Sequence, residues 1–207
     1  MKRLATIALV GVIGGCTGAG VASPGEPTVG SPTAPPPAAT AAPSATEPLN
    51  SPSPATGTAE DVEGRFRLTF VLPRTIWNAD EAIEGEAILA LIDDELAELG
   101  IAGNGPIEFI FKEVGGSREM GPAWDTVCDS ARLTAASPIV RSIRKSGGYS
   151  DNLPDADFYL SFFADPLVRL PAGEWDITAV AEFTDGRDCG SADQFSMNAT
   201  VRVQITG

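Results

Sequence analysis

The side chains in this chain that could do chemistry are almost all carboxylates. The sequence of 207 residues contains 28 Asp and Glu and no His. The absence of His removes imidazole-based triads and nearly all catalytic zinc sites. A nucleophile elbow, a phosphate-binding loop and a dinucleotide fingerprint are also missing from the sequence. What remains is a glycosidase-like pair of acids or the binding of calcium, and we do not expect an enzyme.

One loop gathers carboxylates at a spacing that calcium could use. The segment Asp151-Asn152-Leu153-Pro154-Asp155-Ala156-Asp157 holds three carboxylates and one amide. Asp151, Asp155 and Asp157 are therefore candidate ligands of a weak calcium site, and no other cofactor is expected. Helix capping together with an Asx turn accounts for the same residues, so both interpretations stay open.

The charge of the chain excludes one large class of partner. The formal net charge is −14 at neutral pH. Such a surface is repelled by phosphate backbones and by anionic lipid headgroups. We therefore expect no nucleic acid among the partners.

The N-terminus has the layout of a signal peptide over residues 1–15. Lys2-Arg3 precede an uncharged run that is too short to span a membrane. Ile13-Gly14-Gly15-Cys16 resembles the lipobox of bacterial lipoproteins. The resemblance implies cleavage after Gly15, a diacylglyceryl group on the Cys16 sulfur, and acylation of the new amino group, for example by palmitate. The chain would then be anchored by lipid in the bacterial membrane, on the extracytoplasmic side. The alternative is an ordinary secretory signal in which Cys16 is incidental.

This resemblance determines what the other two cysteines can do. If Cys16 carries lipid, Cys128 and Cys189 have only each other, and exported proteins sit where disulfides persist. We therefore expect a Cys128–Cys189 disulfide, with two free thiols as the alternative.

The stretch from residue 17 to about 60 has the composition of a linker. Pro, Ala, Ser, Thr and Gly dominate it, and the first aromatic residue of the chain is Phe66. Without large apolar side chains this tract cannot offset the entropy of folding, so we expect a disordered, extended stalk. The predicted organisation is a lipidated Cys and stalk over 16–61 and one domain over 62–207.

The domain has the pattern of antiparallel strands. Apolar residues alternate with polar ones from Phe66 to Leu72, from Trp175 to Phe183 and from Phe195 to Ile205. A period of two indicates strands with one buried face. With weaker segments included, the predicted strands are 66–72, 82–92, 106–114, 126–133, 138–144, 175–183 and 195–205. About seven strands predict an all-β, antiparallel β-sandwich.

Two segments depart from this pattern. Residues 93–100 fit either a helical turn or an edge strand. Residues 155–165 predict a short helix, with Asp155 as its cap, Phe158 and Phe162 four apart, and Pro166 as its stop. We expect its aromatic face to pack over one end of the sandwich; an aromatic lid or recognition helix is the functional alternative.

Two motifs resemble bacterial Ig-like domains. Thr75-Ile76-Trp77-Asn78-Ala79-Asp80-Glu81-Ala82-Ile83-Glu84-Gly85-Glu86-Ala87 resembles their entry into the second strand. Pro171-Ala172-Gly173-Glu174-Trp175-Asp176-Ile177-Thr178-Ala179 resembles their penultimate strand. The resemblance implies an Ig-like sandwich of the kind found in surface binding domains, in macroglobulin-like modules and in proteinase inhibitors.

Taken together, the predicted lipid anchor and the predicted β-domain favour a non-catalytic function. We expect a cell-surface lipoprotein whose Ig-like domain binds or scaffolds an envelope protein or polysaccharide. One alternative is a proteinase-inhibitor-like module that presents the loop 115–125 to a protease. Another is a passive structural spacer.

Overall fold

The structure is a computed structural model that describes residues 55–124, 126–150, 152–190 and 193–207. The predicted signal peptide, Cys16 and most of the predicted stalk lie outside these residues. The described part folds into eleven strands and one helix. The elements are β1 (Gly57–Glu63), β2 (Phe66–Leu72), β3 (Ile76–Asn78), β4 (Glu86–Leu91), β5 (Ala97–Ala102), β6 (Ile107–Glu113), β7 (Glu119–Met120), β8 (Cys128–Leu133), β9 (Ile139–Ser142), α1 (Ala156–Ala164), β10 (Gly173–Asp185) and β11 (Gln194–Thr206).

The strands form two sheets in a sandwich-like arrangement. The first sheet has the order β1-β2-β4-β9. The second has the order β3-β11-β10-β5-β8, and β6 also pairs with β10 and carries β7 at its edge. Strand pairs are antiparallel, except that β3 runs parallel to β11. The 13-residue strand β10 is long enough to pair with β6 up to Ala181 and with β5 at Thr184 and Asp185.

The core lies between the two sheets because alternate side chains of both point inward. In β2, Phe66, Leu68 and Phe70 are fully buried while Arg67 is exposed. Trp175 and Ile177 of β10 are also fully buried and belong to the same cluster. Burying one such side chain contributes about 1.5–3 kcal/mol. The apolar side chains at every second position of these strands are therefore the main source of stability.

All seven predicted strands are present, but the number seven is too small. The structure adds β1, β3, β5 and β7. Strands β3 and β7 have only three and two residues, too few to show a period in the sequence. Strand β5 resolves the ambiguity of 93–100 in favour of a strand that begins at Ala97.

The first sheet also begins earlier than the predicted start of the domain. β1 starts at Gly57, so the prediction of a disordered stalk up to residue 61 is wrong for the last part of that range. This strand is rich in acids, and its one branched aliphatic residue, Val62, is exposed. It is held by its pairing with β2 and by the Asp61 carboxylate, which accepts the Asn198 N–H of β11 at 2.8 Å.

The predicted helix is present as α1, and its aromatic face packs on the sandwich. Tyr159 and Phe162 are buried, and the Phe162 ring lies 5.8 Å from that of Phe111 in β6. Asp155 occupies the N-cap position as predicted, but its side chain makes no capping hydrogen bond to the described residues. It instead has a left-handed backbone, with φ of 62°. None of the helices in the described ranges is long and apolar enough to cross a membrane.

Candidate functional site

The two cysteines of the domain form the predicted disulfide. Cys128 begins β8, and Cys189 lies after β10, with their Cα atoms 5.8 Å apart. Next to the bridge, the Arg187 guanidinium donates to both carboxylate oxygens of Glu98 at 2.5 and 2.6 Å. These hydrogen bonds lower the pKa of Glu98. The disulfide and this ion pair together fasten the connection after β10 to β5 and β8.

The predicted calcium loop is only partly within the described residues. Asp151 lies outside them, and Asp157 lies in the first turn of α1. The Asp155 carboxylate is 3.6 Å from Nε of Arg118. In the part of the chain that the structure describes, no three acids or cysteines are grouped so that they could hold a metal ion. Calcium binding stays a prediction, and a calcium-dependent rise in the melting temperature that a chelator reverses would support it.

The loop 115–125 is tied to α1 in its first half. Arg118 lies 4.6 Å above the Phe158 ring and 3.9 Å from the Glu113 carboxylate. The next residue, Glu119, donates its backbone N–H to the Tyr159 hydroxyl at 3.3 Å. Met120 is 2% exposed. Arg118, the arginine that a trypsin-like protease would need, therefore contacts the domain itself. The last residue of the loop, Asp125, lies outside the described residues.

A cleft of about 310 Å³ opens beside α1. Its walls combine apolar side chains with a few charged ones: Ala79, Phe158, Phe162, Leu170 and Pro171, together with Lys145, Ser161, Asp165 and Arg169. The volume is at the lower limit for a small-molecule site. Phe158, Ser161 and Phe162 of its lining belong to α1, the helix predicted as a possible recognition element.

The charged groups of this cleft are held by the protein itself. Lys145 donates to the backbone carbonyls of Phe162 and of Asp165, the latter at 2.8 Å, and so satisfies the C-terminal end of α1. Burial lowers the pKa of Lys145. The Asp165 carboxylate accepts the Leu167 N–H at 2.8 Å and Nη1 of Arg169 at 2.5 Å. The Leu167 hydrogen bond, followed by that from Arg169, lowers the pKa of Asp165. Both charged groups are thus engaged by other parts of the protein.

A buried ion pair that was not predicted from the sequence links the two sheets. Glu108 of β6 is fully buried, and Arg144, just after β9, donates to its Oε1. The other oxygen, Oε2, has no hydrogen-bond partner among the described residues. Arg141 and Arg144 both donate to the backbone carbonyl of Asn104. These contacts fasten β9 of the first sheet to β6 of the second. The only sequence signal was an acid inside the apolar run Ile107-Glu108-Phe109.

Comparison with known proteins does not place the chain in a family. No family model matches it, and neither the curated proteins nor the solved structures that were compared with it gave a match. The function must therefore be argued from the residues of this chain.

Proposed function

We propose that this chain is a lipid-anchored protein of the bacterial cell envelope, whose Ig-like sandwich domain binds or scaffolds and does not catalyse. The observation that carries the proposal is the division of its three cysteines. Cys128 and Cys189 are joined to each other, which suits an exported chain. The remaining one, Cys16, stands where a lipobox needs it, directly after Ile13-Gly14-Gly15.

The two-sheet fold supports the Ig-like part of the proposal. The first resembling motif includes β3 and enters β4 at Glu86, and the second enters β10 at Gly173. The disulfide differs from the inter-sheet bridge of antibody domains, since it joins β8 to the connection after β10 within the second sheet. The fold alone does not specify a ligand.

The charged residues of the cleft beside α1 support binding over catalysis. The acid of the cleft beside α1, Asp165, is already paired with Arg169, and its lowered pKa keeps it ionised. A general acid needs a pKa near the working pH, which is the opposite shift. Lys145 is likewise occupied by two carbonyls of the helix end.

Detergent partitioning tests the anchor. The full-length chain is expressed in a bacterium and separated into aqueous and detergent phases, beside Cys16→Ala and the double variant Cys128→Ala with Cys189→Ala. We expect the wild type and the double variant in the detergent phase, and Cys16→Ala in the aqueous phase. If Cys16→Ala stays with the detergent, the anchor is not at Cys16.

Cross-linking in intact cells tests the binding role. At native expression, the anchored chain should yield a reproducible adduct with an envelope component or with itself. A chain that yields no adduct under several cross-linking chemistries would fit the passive spacer better.

A further inference from the structure

The outer surfaces of the two sheets differ in character. On β10 and β11 of the second sheet, polar groups pair across the strands, as Asp176 does with Arg202 at 2.8 Å and Thr178 with Thr200 at 2.8 Å. The outward side chains of β1, β2, β4 and β9 are instead mostly aliphatic residues or residues with a small hydroxyl, together with Glu60, Arg67 and Glu86, and we call this surface the aliphatic face. Val62 and Val140, at opposite edges of it, are 52% and 51% exposed.

Strand register arranges the aliphatic face in three rows. The first row contains Val62, Arg67 and Ala90. The middle row contains Glu60, Thr69, Ile88 and Val140. The third contains Thr58, Val71, Glu86 and Ser142. Most of these positions are aliphatic or carry a small hydroxyl, although the chain as a whole is strongly acidic.

Two charges on this face lack partners. Every other arginine in the described residues contacts an acceptor, but Arg67 has no hydrogen bond or ion pair there. Glu86, an exposed acid, is also without a partner among these residues. The two belong to the first and third rows, which are four residues apart along the strands, or about 14 Å. They are too far apart to pair within one molecule.

We propose that the aliphatic face is a contact surface between two copies of this chain, related by a two-fold axis. The axis lies in the plane of the face and crosses the strands at the middle row. Rotation about it exchanges the first and third rows and leaves each strand over its own counterpart. Arg67 of one copy then lies over Val71 of the other, beside its Glu86, and the same contact forms a second time by symmetry.

The shape of the surface fits this placement. A shallow depression of about 320 Å³ is lined by Val71, Pro73, Gly85 and Glu86. It lies where the Arg67 side chain of the second copy would arrive. An axis along the strands would instead keep Arg67 in its own row, opposite Ala90, and would form no ion pair. The two unpaired charges thus favour the axis across the strands over the axis along them.

The area of the face makes this a weak contact in dilute solution. Four strands about 4.8 Å apart, with five residues each at about 3.4 Å, cover roughly 330 Å² per copy. Twice that area is below the ~1,200 Å² of stable complexes. The contact therefore rests on the proposed anchor, because confinement of both copies to one membrane raises their effective concentration. This deepens the scaffolding role by naming a second copy of the chain as the partner.

One residue on the face opposes the contact and offers a test. Glu60 lies in the middle row on the edge strand β1, so the rotation brings it opposite its own copy. Like charges directly opposite each other destabilise a contact. Glu60→Gln should therefore strengthen self-association, whereas an unrelated role of the face predicts no such gain.

Disulfide trapping in the full-length, membrane-bound chain tests the proposal. Thr69→Cys places a thiol in the middle row, next to its counterpart in the second copy. Thr178→Cys is the matched control, on an equally half-exposed threonine of the outer face of the second sheet. After mild oxidation, we expect a covalent dimer for Thr69→Cys and at least five-fold less for Thr178→Cys. Equal yields from the two variants would overturn the proposal.

Charge exchange tests the arrangement. In the Thr69→Cys background, Arg67→Glu should reduce the dimer yield several-fold, and Arg67→Glu with Glu86→Arg should restore it. A yield that Arg67→Glu leaves unchanged, or Thr69→Cys adducts with another protein, would contradict a two-fold contact. Circular dichroism of each variant verifies folding. Fractionation of the same cells reports the anchor separately, so a missing dimer in a membrane-bound chain counts against this contact and not against the anchor.

Discussion

Removing the disulfide should cost the domain a large part of its stability. The perturbation is Cys128→Ala with Cys189→Ala, in a Cys16→Ala background so that every sample is handled without detergent. The bridge joins positions 61 residues apart. In the chain-entropy model, closing a loop of that length stabilises the folded state by about 4 kcal/mol. A domain of this size has a total stability of about 5–15 kcal/mol, so the loss is substantial.

The structure indicates that this loss arises mainly in the unfolded chain. The connection that carries Cys189 is also held by the Arg187–Glu98 ion pair and by the Thr184 hydroxyl, which donates to the Asp188 carbonyl at 2.9 Å. These contacts remain when the sulfur atoms are removed. The folded geometry should thus change little while the unfolded ensemble gains freedom.

Urea unfolding followed by tryptophan fluorescence measures the effect. We expect a lower midpoint for the double variant, and the same midpoint for the parent protein once it is reduced. Far-UV circular dichroism in the absence of urea should be unchanged. A loss below about 1 kcal/mol, well under the 2–4 kcal/mol typical of native bridges, would refute this reasoning.

Three further predictions concern single side chains. Arg144→Met should destabilise the domain by about 3–5 kcal/mol in urea unfolding, because it strands the buried Glu108 carboxylate, and adding Glu108→Leu should recover most of that loss. Asp155→Val should lower the free energy of unfolding by about 1–2 kcal/mol, because a β-branched residue tolerates the left-handed backbone at φ of 62° poorly; an unchanged melting temperature would contradict this. The hydrogen bonds from Arg202 lower the pKa of Asp176 below its ordinary value of 3.8, so its stabilising effect is complete above that pH and is lost as the pH falls through the lower folded value. Asp176→Asn should therefore flatten the dependence of melting temperature on pH below about 4, and a curve parallel to that of the wild type would be evidence against the ion pair.

The strands that could be predicted from the sequence are those whose own side chains fill the core. The alternation from Phe66 to Leu72 specifies both a strand and its buried face, and β2 occupies that range. β1 could not be found in this way, because none of its side chains is a large apolar group in the core and its position depends on hydrogen bonds to β2. Pairing partners are long-range information that a local period does not contain.

The candidate sites were harder to predict than the strands, for the same reason. The Asp155 carboxylate looked like a helix cap or a metal ligand, but its neighbour in space is Arg118, which comes from another part of the chain. Glu108 stands between the core residues Ile107 and Phe109, where a period of two predicts an exposed side chain, and only the fold shows that it is buried and that Arg144 meets it. The cysteine pairing could be predicted because the lipobox resemblance set Cys16 aside, so that Cys128 and Cys189 had only each other.

The most direct test of the proposed anchor is the mass of the N-terminal peptide of the mature protein. The full-length chain is purified from bacterial membranes, digested, and its first peptide identified by mass spectrometry. The proposal predicts a peptide that begins at Cys16 and carries a diacylglyceryl group, with residues 1–15 removed. An unmodified Cys16, or a mature N-terminus at any other residue, would contradict it.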